Sequence, residues 1–438
     1  LAVASGELAA ALVGARFRPF HQEEENMAGR SAAVVVVAVS GALGLAVAGC
    51  GSGTSSSAKT NSAGQTVVKV GVPLSLSGPV AFAGVQMQKA MKLGFKDANA
   101  SLAASGIKLE PVFADDKSDQ PTSIDVTRRL VQQDKVAVIA GYTASNICQA
   151  ALPVAQQLKV PALNADCVIP DIVKMGDYIF RTAQPLDPAL SLMTTKVAPQ
   201  LGLKSSASLV LKENPGAVNA AKIMSAGLAK AGAPITDAES VRTADTTNFR
   251  SELTRIASKK PGALVIAVLG GQAGQVMVQA RQSGLDVPFI GEQNLGASSV
   301  IEIAGKAAAN TYFATYWNPT GGTPKNDKFI KDFKAAYNAE PDTFAANGYA
   351  AVETIAAAVK KAGKPSGDAQ SYREKLKETL GNLGEIESIY GDGKLTMKDR
   401  AATMGAIIVK LNASGNTVTP EVIDTIPGDQ VFAGWTGN

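Results

Sequence analysis

Few residues in this 438-residue chain are equipped for covalent or metal chemistry. It has one histidine, His21, and three cysteines, Cys50, Cys148 and Cys167. His21 lies ahead of the first candidate strand. The body of the chain therefore has no Ser-His-Asp triad, no Cys-His pair and no imidazole metal ligand. Cys148 and Cys167 make neither a CxxC redox pair nor a zinc cluster. There is no GxxxxGK[ST] phosphate loop and no GxGxxG turn after a strand. Asp115, Asp116 and Asp119 are spaced like oxygen ligands for Ca²⁺, but no Gly/Glu framework of a calcium loop follows. A strand end and a helix cap account for them. No cofactor and no metal are expected, and paired acids for an exported carboxylate enzyme are not evident.

What remains is chemistry of binding. Ser145 follows an apolar run at 136–140 and precedes a helical pattern. Its hydroxyl and the neighbouring backbone N–H groups, Asn146 among them, suit a carboxylate at a helix N-terminus. An ordinary N-cap serine is compatible with that role.

The elements that must position such residues follow from composition and periodicity. Apolar residues make up 46% of the chain and charged residues 18%, enough for a large core and two or three domains. The formal charge is +4 with Lys and Arg scattered, which argues against nucleic acid as a partner. Strands are predicted at 67–73, 109–114, 136–140, 160–163 and 178–181, with helices at 85–103, 124–131 and 145–158 between them. The pattern repeats, with strands at 207–211, 263–269 and 287–290 and helices at 217–231, 247–258 and 273–283. After 311–317 come helices at 325–338, 344–362 and 369–380, then strands at 404–411 and 418–423. Alternation of this kind predicts an α/β chain with two doubly wound parallel-sheet lobes joined by a multi-strand hinge. The first lobe is assigned 66–187 and 313–390, and the second 188–312 and 391–438.

The N-terminal region reads as an address. Met27 opens MAGRSAAVVVVAVSGALGLAVAGC, with Arg30 as a positive start, an apolar stretch and Val47-Ala48-Gly49 before Cys50. This resembles a bacterial lipoprotein signal with Cys50 as the lipidated residue. Residues 1–26 are then an upstream misassignment, 27–49 the signal and 50–65 a flexible linker spanning roughly 20 Å. A single transmembrane anchor is the alternative.

In order along the body stand VGVPLSLSGPVAFAG at 70–84, DDKSDQP at 115–121, GYTASN at 141–146, VPALNADC at 160–167, YIFRT at 178–182 and FIGEQ at 289–293. Together they resemble the branched-chain amino acid binding proteins, type I periplasmic receptors of ABC importers, over about residues 66–425. The resemblance implies a monomeric, non-enzymatic receptor, lipid-anchored on the outer face of a membrane, that closes two lobes over a small polar ligand and presents it to an ABC permease. A branched-chain or related amino acid is the implied ligand. A small amide, urea-like or carboxylate ligand on the same architecture is the alternative, and a sensory ligand-binding module a further one.

The resemblance also carries site residues. Ser145 matches a serine that holds the ligand carboxylate. Ala165 and Cys167 match positions that use backbone groups and a threonine hydroxyl. Cys167 is expected either to touch the ligand or to pair with Cys148, since an exported chain meets an oxidising compartment. Asp187 matches an acidic position near the ligand. Gln272 lies where the family often has a tyrosine, and Gln293 aligns with the glutamate that takes the ligand ammonium, with Glu292 one residue away. Phe82 stands beside the position of a family tyrosine, and Phe344 keeps a family aromatic. Tyr142 and Trp317 are further aromatic candidates.

Processing at the Gly49–Cys50 bond gives the first test. Intact-mass analysis of protein from native membranes is expected to find an N-terminal diacylated Cys50. A native product that retains residues 27–49 contradicts it.

Overall fold

The computed structural model of the protein describes residues 60–61, 64–243, 246–391, 393–415 and 417–433. The expected signal, Cys50, His21 and most of the linker lie outside the described residues. Among those described, no helix is long and apolar enough to cross a membrane.

The first series of elements runs β1 (Thr66–Leu74), α1 (Ala81–Leu102), β2 (Ile107–Asp115), α2 (Gln120–Gln132), β3 (Val138–Gly141), α3 (Ser145–Gln157), β4 (Ala162–Asn164) and β5 (Ile179–Arg181). The second runs α4 (Asp187–Gln200), β6 (Ser206–Leu211), α5 (Pro215–Lys230), β7 (Ile235–Val241), α6 (Arg250–Ser258), β8 (Leu264–Ala267), α7 (Gly270–Gln282), β9 (Phe289–Glu292), α8 (Ser298–Ala304) and β10 (Thr311–Thr315). The last part holds α9 (Pro324–Tyr337), α10 (Thr343–Ala362), α11 (Ala369–Gly381), β11 (Gly384–Glu387), β12 (Lys394–Lys398), β13 (Ala401–Thr403), β14 (Ala406–Ser414), β15 (Thr417–Ile426) and α12 (Gly428–Val431).

Two sheets result. One has the order β11-β12-β13-β5-β4-β3-β1-β2, the other β15-β14-β10-β9-β8-β6-β7. Strands β1 to β5 pair in parallel, as do β6 to β10; in the first sheet β13 joins β5 in parallel and carries β12 and β11 antiparallel, and in the second β14 and β15 are added antiparallel. The central strands VIAG and LVIA are buried at every position, as parallel strands covered by helices on both faces must be. This is the two-lobe doubly wound α/β architecture.

The chain passes between the sheets after β5, after β10 and after β13. Strands β12 and β13 belong to the first sheet, whereas the sequence assigned everything after 391 to the second lobe. β10 likewise pairs within the second sheet, so the return to the first lobe comes after Thr315 rather than at 313. Strands β7, β11, β12 and β13 were not expected. β7 and β11 are edge strands, and β7, β11 and β12 alternate buried or half-buried with exposed positions and carry charges.

Helices α1 and α10 form a tight packing seam in the first lobe. A Cβ on Gly348 would stand 2.7 Å from the Met87 carbonyl oxygen, and one on Gly94 3.1 Å from the Val352 Cβ. The seam holds the start of α10 against the start of α1, where Phe344 meets Phe82.

Candidate functional site

A small cleft lies where the carboxyl ends of both sets of parallel strands face each other. The first lobe contributes Val80 and Phe82 after β1, Thr143 and Ser145 after β3, and Asp166 and Val168 after β4. The second contributes Asn214 and Gly216 after β6, Leu269 after β8, and Glu292, Gln293 and Asn294 at the end of β9. Phe344 from α10 completes the wall.

The loop after β1 is held by the acidic cluster. Asp115 Oδ1 accepts from the amides of Leu76 (2.9 Å) and Lys117 (2.8 Å). Asp116 Oδ1 accepts from Ser75 Oγ (2.6 Å) and the Ser118 amide (2.9 Å). Asp119 caps α2 through the Thr122 amide at 2.9 Å. The three carboxylates thus fasten a turn and start a helix. The Ser75 amide donates to Thr143 Oγ1 at 3.1 Å, tying the β1 loop to the start of α3. Phe82 then reaches across to α7, where a Cβ on Gly270 would overlap its ring, and meets Phe344 edge-on at 5.4 Å between centroids.

Helix α3 begins without a side-chain cap. The amides of Ser145, Asn146 and Ile147 have no acceptor among the described residues, and neither the Ser145 hydroxyl nor the Gln293 amide has a hydrogen-bond partner there. A Cβ on Gly216 would stand 2.8 Å from Ser145 Oγ, so the N-terminus of α5 in the other lobe closes against this serine. Free N–H groups at a helix N-terminus attract an anion.

The opposite pole is acidic. Asn164 shapes the loop after β4: its Oδ1 accepts from the amides of Asp166 (3.1 Å) and Cys167 (2.8 Å), and its Nδ2 donates to the Cys167 carbonyl (2.8 Å). The wholly buried Arg181 supports the same loop by donating to the carbonyls of Ile169 (2.7 Å) and Cys167 (3.1 Å). Burial lowers its guanidinium to about 9. Cys167 is joined to Cys148 by a disulfide. The loop so held carries Asp166 into the cleft. Its Oδ1 accepts from Asn347 Nδ2 at 2.7 Å, and Asn347 in turn accepts from the Tyr390 hydroxyl.

Glu292 has no hydrogen-bond donor among the described residues although it is only 9% exposed. Burial, with the negative charge of Asp187, pushes its carboxyl up to about 7. Asp166 is pushed up to about 8, first by burial; the Asn347 hydrogen bond works the other way, and the charges of Glu292 and Asp342 add to the rise. No lysine or arginine lines the cleft.

Of the residues expected from the sequence, Ser145, Phe82, Gln293 and Phe344 line this cleft. Glu292 and Gln293 both do, because β9 ends at Glu292 and a 3₁₀ turn starts at Gln293. The others lie elsewhere. Tyr142 has φ +66° and is buried in the core with its hydroxyl 3.1 Å from Thr127 Oγ1. Gln272 is spent on the carbonyls of Thr243 (3.0 Å) and Thr246 (3.2 Å). Asp187, half-buried at the start of α4, accepts from Asn219 Nδ2 at 2.8 Å. Ala165 gives its amide to the Gly141 carbonyl within the sheet, and the Cys167 sulfur is taken by the disulfide. Asn146 lines a neighbouring groove outside the cleft. Trp317 is buried and donates to Asn326 Oδ1 at 2.7 Å. Asp166, Asn214 and Asn294 were missed, although each follows a parallel strand.

Comparison with known proteins agrees with this geometry. A family model described as "Periplasmic binding protein" matches residues 67–416. The leucine-, isoleucine-, valine-, threonine- and alanine-binding protein of Pseudomonas aeruginosa is 28% identical over 325 residues, 72% of this chain and 85% of the relative. A branched-chain amino acid transporter substrate binding protein from Streptococcus pneumoniae, solved with isoleucine, superposes with a TM-score of 0.72 at 25% identity, over 82% of this chain and 99% of the other. A solute binding protein of an ABC transporter from Rhodopseudomonas palustris, solved with 3,4-dihydroxybenzoic acid, has a TM-score of 0.74 at 24% identity, over 83% and 98%.

Asp166 and Glu292 titrate above the unfolded-chain values near 4. The native state therefore binds more protons than the unfolded state between about pH 4 and pH 8, and stability falls as pH rises through that window. Asp166→Asn is expected to stabilise the ligand-free protein at pH 8 by at least about 1 kcal/mol, with little change at pH 4. Urea unfolding at both values checks it, and a variant with the parental pH slope contradicts it.

Proposed function

The chain belongs to the periplasmic binding protein family, and we propose that it is the extracytoplasmic solute receptor of an ABC importer, taking a branched-chain or related α-amino acid into the cleft. The observation that carries this reading is the cleft's two poles. The uncapped start of α3, with the free Ser145 hydroxyl, suits an α-carboxylate. Glu292 and Asp166, one from each sheet and with no cation beside them, suit an α-ammonium. Between the poles, Val80, Phe82, Leu269 and Phe344 offer an apolar wall for a side chain.

A ligand held across both lobes stabilises the closed state by its differential affinity for it. The ammonium brings Asp166 and Glu292 a counter-charge that no protein side chain supplies, so closure over an empty cleft is disfavoured. A simple carboxylate such as a benzoate fills the α3 pole and brings no cation to Asp166 and Glu292, which favours the amino acid. In this reading Cys50 anchors the receptor through its lipid, the linker holds the lobes off the membrane, and the closed receptor, a monomer, delivers its ligand to a permease.

Calorimetric titration with L-leucine, L-isoleucine and L-valine tests this. Ser145→Ala is expected to weaken binding by about 10- to 150-fold, the loss of one charge-assisted hydrogen bond. Glu292→Gln is expected to weaken these amino acids while leaving 4-methylpentanoate, which lacks the amine, unaffected or tighter. Equal affinity of both variants and the parent for L-leucine contradicts the placement of the two poles.

A further inference from the structure

Asp342 does not line the cleft, yet it is buried, 2% exposed, at the entry to α10. Its two carboxylate oxygens serve different lobes. Oδ1 accepts from the Ala345 amide at 3.0 Å and so caps α10, which packs on α1 in the first lobe. Oδ2 accepts from the Ser298 amide at 3.1 Å, at the first residue of α8, which packs on α7 in the second lobe. Helix α8 has no side-chain cap of its own, so a carboxylate from the opposite lobe takes that place. The Ser298 hydroxyl reaches the same segment and donates to the Glu340 carbonyl at 3.4 Å. Burial raises the Asp342 carboxyl above the usual carboxylate range, and the hydrogen bonds from Ala345 and Ser298 work the other way.

Both ends of this bond lead to the cleft wall. Phe344 stands two residues after Asp342, and Asn294 four residues before Ser298. Between Asp342 and Phe344, the Thr343 hydroxyl shares a hydrogen bond with that of Thr315 at 2.7 Å, just ahead of the second crossing between the sheets. A rotation of the lobes about the crossings therefore changes the distance from Asp342 to Ser298 together with the width of the cleft.

We propose that Asp342 is a closure residue of the receptor: its bond to Ser298 forms as the lobes shut over a ligand and breaks as they part, and it slows release without touching the ligand. On opening, Asp342 keeps α10 capped through its other oxygen, and water takes the exposed Ser298 amide. The bond is then present in the closed state alone, which is what a group must do to shift the balance between open and closed. The proposal rests on the receptor reading of the cleft and adds a positioning residue to it.

Two substitutions remove the bond from opposite sides. Asp342→Asn leaves one oxygen for the α10 cap, where asparagine serves as well as aspartate, and sets an NH₂ group against the Ser298 amide. Ser298→Pro removes the donor at the first helical position, where proline is favoured; Ala297 before it, at φ −63° and ψ 140°, already has the backbone a following proline requires. Stopped-flow dissociation of L-leucine is expected to be at least about 10-fold faster in each variant, the loss of a hydrogen bond to a charged group. The association rate and the melting midpoint of the ligand-free protein are expected to change little. The double variant is expected to release leucine no faster than the single ones, because both remove the same bond. If one variant fails to fold, the other carries the test. Parental dissociation rates in the folded variants, or loss of folding in both, overturn the closure role and leave the receptor standing. Failure of the parent to bind leucine overturns the proposal together with the amino-acid reading.

Discussion

The site depends on two places where the lobes approach too closely for a side chain. Gly216 brings the start of α5 against Ser145 Oγ, and Gly270 brings the start of α7 against the ring of Phe82. A Cβ at either position would meet atoms of the opposite lobe, so these glycines are where the cleft is allowed to shut. Both sit just after parallel strands, and so do the residues they meet. The topology that aligns strand ends in each sheet, joined by three crossings, sets the two rows of loops face to face. What those loops carry decides the chemistry.

The polar groups in the cleft divide by origin. The donor pole is backbone, the unused amides at the start of α3, and costs the fold little because a helix N-terminus leaves such groups free in any case. The acceptor pole is made of two carboxyl groups, and burial makes it expensive: Asp166 and Glu292 are raised to about 8 and about 7. The fold supports that expense locally. Asn164, Arg181 and the Cys148–Cys167 disulfide hold the loop that presents Asp166, and Asn347 with Tyr390 backs the carboxylate itself. Near neutral pH an empty cleft therefore holds these acids largely in their neutral forms, and a cationic ligand group favours the charged ones. Affinity and closure then have the same physical source.

Much of the architecture was legible in the sequence because both-face burial produces unmistakable strands such as VIAG and LVIA. The edge strand Ile235–Val241 was not, since its short apolar content is broken by Asp237 and Glu239, which resemble a loop. Ser145 was legible from its place between a strand and a helix. Asp166 was not, because family likeness directs attention to Ala165 and Cys167 on either side. The choice depends on how Asn164 turns the backbone, which no pattern reveals. Glu292 and Gln293 could not be separated for a related reason: a strand ending in a 3₁₀ turn aims successive side chains into one space. Tyr142, at positive φ, faces the core where an extended residue would have faced the cleft.

The central claim is that the cleft holds one small molecule bearing both a carboxylate and an ammonium. The most direct measurement is identification, by mass spectrometry, of what the natively purified protein releases when it is unfolded. The account predicts an α-amino acid in near-stoichiometric amount. A released carboxylate without an amine, such as a hydroxybenzoate, in the same amount would contradict it.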